Sequence, residues 1–107
     1  DQVVFYFSNM GVEEGGEGPL LLSVAPNPFS GSANIHVSGV VEGAEVRVYD
    51  IAGRVVRRLE PDVAGYCRWD GRDASGAELA AGCYVIRVLS QAGSECARVV
   101  KLAGPQM

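Results

Sequence analysis

One histidine in 107 residues leaves almost no material for imidazole chemistry. It is His36, in "ANIHVSG", where Ile35 and Val37 alternate with Asn34, His36 and Ser38. Its ring is expected on the polar face of a strand, and no motif supplies it with a nucleophile or an orienting acid. Cysteine is almost as scarce. Cys67, Cys83 and Cys96 are odd in number and match no zinc or redox spacing, so a disulfide framework is not indicated. Positive charge is short as well: nine Lys plus Arg against thirteen Asp plus Glu give a formal net charge of −4. That leaves no electrostatic footprint for nucleic acid or an anionic membrane surface. The small basic cluster Arg54, Arg57 and Arg58 reads as a solvated strand face.

Long hydrophobic runs are also missing. Val3 to Phe7, in "DQVVFYFSNM", falls far short of the ~20 residues of a membrane span. It follows neither a Met nor a basic region, so a signal peptide or anchor is not expected there, and its abrupt start reads as chain cut from something longer. Helical periodicity is absent too. No window between the glycines and prolines repeats apolar residues at i, i+3, i+4 and i+7 over three turns.

What is present is an apolar fraction of 48% in a length that suits one domain with a single core. Residues 9 to 18, "NMGVEEGGEG", have the composition of a flexible, self-repelling linker. It separates a strand-like segment, 1 to 8, from a compact unit over 19 to 102, with a tail at 103 to 107. The first segment is expected to close a preceding domain, or to add to a sheet edge of its own or a neighbouring molecule.

Within the compact unit the period is two. "ANIHVSG" and "AEVRVYD" alternate cleanly, and "LLLSV", "VVRRL", "YCRW", "CYVIRVL" and "CARVVKL" add five short β-type runs bounded by Gly, Pro, Asp or Ser. Seven short strands predict an all-β fold, an immunoglobulin-like antiparallel β-sandwich, with a small barrel as the alternative. Alternation assigns Ile35, Val37, Val46, Val48, Trp69, Ile86 and Val88 to the core. Gly53 and Gly93 sit where hairpin loops commonly need positive φ. A second hairpin centred near Ala92 sets Val88 opposite Cys96 and Cys83 opposite Lys101. Cys83 and Cys96 are then ~16 Å apart along the ladder, beyond disulfide reach. Cys67 shares a face with Trp69 and is expected inward, Cys83 outward. A Cys67–Cys96 bridge stays open, with two separate buried thiols as the preferred reading.

The acidic stretch "WDGRDASGAELAAG" invites a catalytic or metal reading. Asp70, Asp73, Ser75 and Glu78 are irregularly spaced between strands, which does not suit a calcium loop. A pair of aspartates would need an enclosing pocket to separate its pKa values, and a sandwich of this size has little room for one. The simpler reading is a loop in which Asp side chains bond nearby N–H groups and Gly71 and Gly76 supply unusual dihedrals. No catalytic residue, metal or cofactor is expected.

"PNPF" (26–29), "VRVYDIAGRVVRRL" (46–59), "WDGRDASG" (69–76), "AGCYVIRV" (81–88) and "RVVKL" (98–102), in that order, resemble the type A C-terminal sorting domain of the type IX secretion system. The immunoglobulin-like domain of flagellar hook-capping proteins is similar. The resemblance implies a β-sandwich without an active site that follows a secreted cargo. It further implies recognition by the export machinery at the outer membrane, and a secreted or cell-surface location in a Gram-negative-type bacterium. By position it carries recognition to Pro26, Asn27, Pro28, Gly53, Gly82, Tyr84, Lys101 and Leu102. A last strand at a sheet edge offers unpaired N–H and C=O groups to a receptor, in physical agreement with that role. Two other functions compete: a scaffold or spacer of the hook-capping kind, and a carbohydrate-binding module, for which only Tyr49 and Tyr66 face solvent.

Overall fold

Period-two alternation becomes seven strands: β1 (Leu21–Ala25), β2 (Ala33–Ser38), β3 (Glu45–Tyr49), β4 (Val55–Leu59), β5 (Tyr66–Trp69), β6 (Gly82–Ser90) and β7 (Gly93–Lys101). The computed structural model describes residues 19–39 and 42–103. The strand-like segment 1–8, the linker 9–18 and the tail from residue 104 lie outside the described residues. No helix occurs among the described residues.

The strands form two antiparallel sheets, one ordered β1-β2-β5 and the other β4-β3-β6-β7, stacked as an immunoglobulin-like sandwich. Side chains alternate across each strand, so one set from each sheet meets in the middle. Ile35, Val37, Val46, Val48, Trp69, Ile86 and Val88 are each 0% exposed. Leu20, Phe29, Ala33, Ala44, Tyr84 and Val99 complete the core.

The registers give the sandwich two distinct ends. Leu21 pairs with Ser38, Glu45 with Leu89 and Ser90 with Gly93, so Gly39, residues 42–44 and loops 60–65 and 91–92 share the end where the described chain starts, at Pro19. Ala25 pairs with Asn34, Ala33 with Trp69 and Gly82 with Lys101. Loops 26–32, 50–54 and 70–81 therefore share the opposite end, where β7 leaves through Leu102.

The β6–β7 hairpin corrects the expected register by one residue. Ser90 pairs with Gly93 across a two-residue loop, and Ala92 N–H donates to Ser90 Oγ at 3.0 Å. Gly93, at φ 127°, becomes the first residue of β7 instead of a loop residue. Cys96 then faces Arg87, Val88 faces Glu95, Cys83 faces Val100 and Lys101 faces Gly82. A one-residue slip moves every side chain of a strand to the other face. It turns Cys96 outward, where it is exposed, and turns Lys101 inward, where only 4% is exposed. The expectation of a buried Cys96 fails for that reason. Cys67 is half-buried against the core and Cys83 exposed, and all three thiols are free.

Candidate recognition surface at the Leu102 end

Each motif segment has its loop, its turn or one strand end at one end of the sandwich, and three of them contribute an aromatic ring there. Phe29 from "PNPF", Trp69 from "WDG" and Tyr84 from the start of β6 form one cluster. Their ring centroids lie 5.4 Å apart for Phe29–Trp69 and 5.2 Å for Trp69–Tyr84, in tilted and edge-on geometry. The polar tips are satisfied inside. Trp69 Nε1–H donates to the Arg72 carbonyl at 3.0 Å and the Tyr84 hydroxyl to the Ala80 carbonyl at 2.6 Å. Burial raises the Tyr84 phenol above its ordinary value, with Asp50 adding to it.

"PNPF" runs along β7 like a short extra strand. Asn27 Nδ2 donates to the Arg98 carbonyl at 2.9 Å, and Val100 N–H donates to Asn27 Oδ1 at 3.0 Å. Phe29 N–H then donates to the Val100 carbonyl and Leu102 N–H to the Phe29 carbonyl, at 2.9 and 2.8 Å. The clasp covers the final part of the β7 edge. By alternation, Ser94, Cys96 and the Arg98 N–H point the same way from the other half, with no backbone partner among the described residues.

Lys101, the one lysine of the chain, is buried beneath loop 69–79. Its ammonium meets Glu78 Oε2 at 3.4 Å, and its stem occupies the space a Cβ on Gly71 would fill. A buried amine needs such an acceptor, because an uncompensated charge there is strongly unfavourable. Arg57 ties the same loop to β4: its Nη1 donates to Asp70 Oδ1 at 2.8 Å and to the Arg72 carbonyl at 3.1 Å. Burial opposes ionisation of Asp70, yet the Arg72 N–H and the Arg57 guanidinium hold its carboxyl below the ordinary value.

Three turns share one construction that sequence reading missed. Asp50-Ile51-Ala52-Gly53, Asp62-Val63-Ala64-Gly65 and Asp73-Ala74-Ser75-Gly76 each place a glycine at φ near 90° three residues after an aspartate. In each, the glycine N–H donates to the aspartate carbonyl. The aspartate N–H donates to the carbonyl one residue beyond the glycine. The aspartate Oδ1 accepts the N–H groups two and four residues on. The repeated D-x-[AS]-G spacing was the available signal. Asp50 is held below the ordinary carboxylate value by the Arg54 N–H above all, and Asp73 by the Ser75 hydroxyl and then the Ala77 N–H.

The eight residues named for recognition thus divide. Asn27, Gly82, Tyr84, Lys101 and Leu102 meet around the end of β7, with Pro26 and Pro28 exposed beside them, while Gly53 sits in the neighbouring β3–β4 turn. Tyr84 and Lys101 are buried, whereas Leu102 is 46% exposed. Tyr66 is 54% exposed and stacked on His36 at 4.2 Å, and Tyr49 is half-buried on the other sheet, so the two tyrosines make no common platform. Among the described residues no three His, Cys, Asp or Glu side chains converge as metal ligands, and no helix is long and apolar enough to cross a membrane. Burial and then Asp62 push the Cys67 thiol up to about 11.

A family model described as the FlgD Ig-like domain matches residues 25–94. Among solved structures, PorZ of Porphyromonas gingivalis is described as an essential bacterial surface component of the type-IX secretion system. It is similar at a TM-score of 0.63 and 25% identity, over 76% of this chain and 11% of its own. Dimeric latent PorU from the same organism gives a TM-score of 0.60 at 23% identity, over 82% and 10%, a likeness of fold alone. The chain spans about a tenth of the length of either protein. No curated protein matches it.

Proposed function

The chain belongs to the FlgD Ig-like domain family, and from that premise we propose that it is a non-catalytic C-terminal module of a larger secreted bacterial protein. In this reading it directs export through the type IX system and attachment to the cell surface of a Gram-negative-type bacterium. Its partner is the export machinery at the outer membrane. The observation that carries the reading is that each of the five motif segments has its loop, its turn or one strand end at the same end of the sandwich, where β7 leaves through Leu102. The likeness to PorZ, a surface component of that system, supports it. Pro26, Asn27, Pro28, Gly82 and Leu102 form the contact surface, while Tyr84 and Lys101 act from beneath by fixing its shape. The domain limits follow the same reading, with the sandwich at 19–102 behind a linker.

The test is secretion of a reporter fused to residues 19–107 in a type IX secreting host, against the reporter alone. Export that requires the module supports the reading, and identical behaviour with and without it refutes the reading. A second reading, a scaffold or spacer module of the hook-capping kind, is favoured by the family match itself. That match ends at residue 94, before Lys101 and Leu102. Docking or self-association without any effect on export is its expected outcome.

A further inference from the structure

The outer face of the β4-β3-β6-β7 sheet carries arginines in register. Arg58 of β4 lies opposite Arg47 of β3, and Arg47 lies opposite Arg87 of β6. Arg98 of β7, opposite Val85, points the same way. Like charges directly opposite on a sheet are destabilising, so such a row calls for counter-charge. Glu45 supplies part of it, with Oε1 at 3.1 Å from Arg47 Nη2 and Oε2 at 3.3 Å from Arg58 Nε. Arg87 meets only Ser94 Oγ, at 3.4 Å, and Arg98 has no acidic partner among the described residues. Arg47 Nε is shielded from solvent without an acceptor among the described residues. A shallow groove of about 390 Å³, lined by Tyr49, Val85, Arg87, Ser94, Glu95 and Cys96, runs beside the row.

Further acidic charge stands in the same chain. Of the thirteen acidic residues, Asp1, Glu13, Glu14 and Glu17 stand in residues 1–18, which hold no Lys or Arg. The nine that follow balance the nine Lys plus Arg. The whole net charge of −4 therefore belongs to the segment preceding Pro19. Pro19 precedes β1, and β1 runs beside β7, so the described chain begins near the edge of the arginine face. From Pro19 back to Glu13 an extended chain reaches ~20 Å. Crossing from β7 to β4 takes about 14 Å at ordinary strand spacing. A tethered segment also acts at an effective concentration of about millimolar, an advantage over a separate acidic peptide.

We propose that the acidic segment around Glu13, Glu14 and Glu17 docks on the outer face of the four-stranded sheet, its carboxylates answering Arg47, Arg58, Arg87 and Arg98. The seated segment also lies over the groove and beside the uncovered half of the β7 edge. The probe is the full chain, observed through its arginine Nε–H signals by NMR. Glu13→Gln, Glu14→Gln and Glu17→Gln together are expected to move the signals of Arg47, Arg58, Arg87 and Arg98, leaving Arg54 and Arg72 at the Leu102 end in place. Raising salt to about 1 M, where the screening length is ~3 Å, moves the wild type toward the triple variant. Reciprocally, Arg87→Gln with Arg98→Gln shifts the backbone amides of residues 13–17. Unmoved arginine signals in the triple variant overturn the proposal. So does a difference that fades on dilution, which puts the segment on a second copy.

Discussion

The two ends of this sandwich are held by different means. At the Leu102 end the core is aromatic, Phe29, Trp69 and Tyr84, and the loops above it are fastened by the Asn27 clasp, the Lys101–Glu78 pair and the Arg57–Asp70 pair. At the Pro19 end the core is aliphatic, Leu20, Val37, Ala44 and Val46, and the loops are joined chiefly by their own backbones. Every motif segment shared with the sorting family has its loop, its turn or one strand end at the first end, while Val46 and Leu59 of 46–59 and Val88 of 81–88 reach toward the second. The motifs are best understood as the parts of one construction: aromatic rings need polar partners for their tips, a buried lysine needs a carboxylate, and a sheet edge needs a cover. The same arrangement leaves a defined surface around Leu102.

The sharpest contrast is in packing. Trp69→Ala removes the ring that touches both Phe29 and Tyr84, with an expected loss of about 3–5 kcal/mol. Leu20→Ala, at the margin of the aliphatic end and 8% exposed, is expected to cost about 2 kcal/mol. Urea midpoints would rank them, and equal losses would remove the distinction between the two ends.

A second contrast uses identical turns. Gly65 at the Pro19 end and Gly53 at the Leu102 end both hold φ near 90°. A Cβ on Gly65 would lie 2.0 Å from the Val37 carbonyl oxygen, whereas one on Gly53 meets open space. Gly65→Ala is expected to cost on the order of 3 kcal/mol, since the clash adds to the backbone strain, and Gly53→Ala roughly 1 kcal/mol from the strain alone. Thermal unfolding of the two variants decides it. Matching losses would show that the close approach of loop 60–65 to β2 is unimportant.

Acid provides a gentler probe. Asp50 and Asp73, both at the Leu102 end, have folded-state values below the ordinary carboxylate value. Their stabilisation is complete above the unfolded value, about 3.9, and is lost as pH falls through the folded values, where the native state must take up its protons. Asp73→Asn keeps an acceptor for the Ser75 and Ala77 N–H groups while removing the charge. Its melting temperature should therefore fall less than that of the wild type between neutral pH and pH about 3. Parallel pH profiles would show that the charge on Asp73 is immaterial.

Much of this was legible in the residues. Alternation located seven strands and the seven apolar core positions, because a strand with one buried face writes its period directly into the sequence. The β6–β7 register was not legible, since "SQAGS" permits a two- or three-residue loop and the choice rests on whether Gly93 is in the turn or in the ladder. That single residue decided the fates of Cys96 and Lys101 together. Phe29 also escaped notice: one ring in a proline-rich loop has no period, and its burial depends on β7 from the far end of the chain. The acidic loop reads as a turn from its residues, yet its kinship with the turns at Asp50 and Asp62 lies in their shared hydrogen bonds.

The central claim is that the surface at the Leu102 end is the recognised one. The direct measurement is export of a reporter fused to residues 19–107 in a type IX secreting host, comparing Leu102→Glu with Val63→Glu. Leu102 is 46% exposed at one end and Val63 fully exposed at the other, so each substitution is expected to leave the core intact, with circular dichroism as the check. The account predicts that Leu102→Glu lowers export while Val63→Glu does not. Equal export from both folded variants would contradict it.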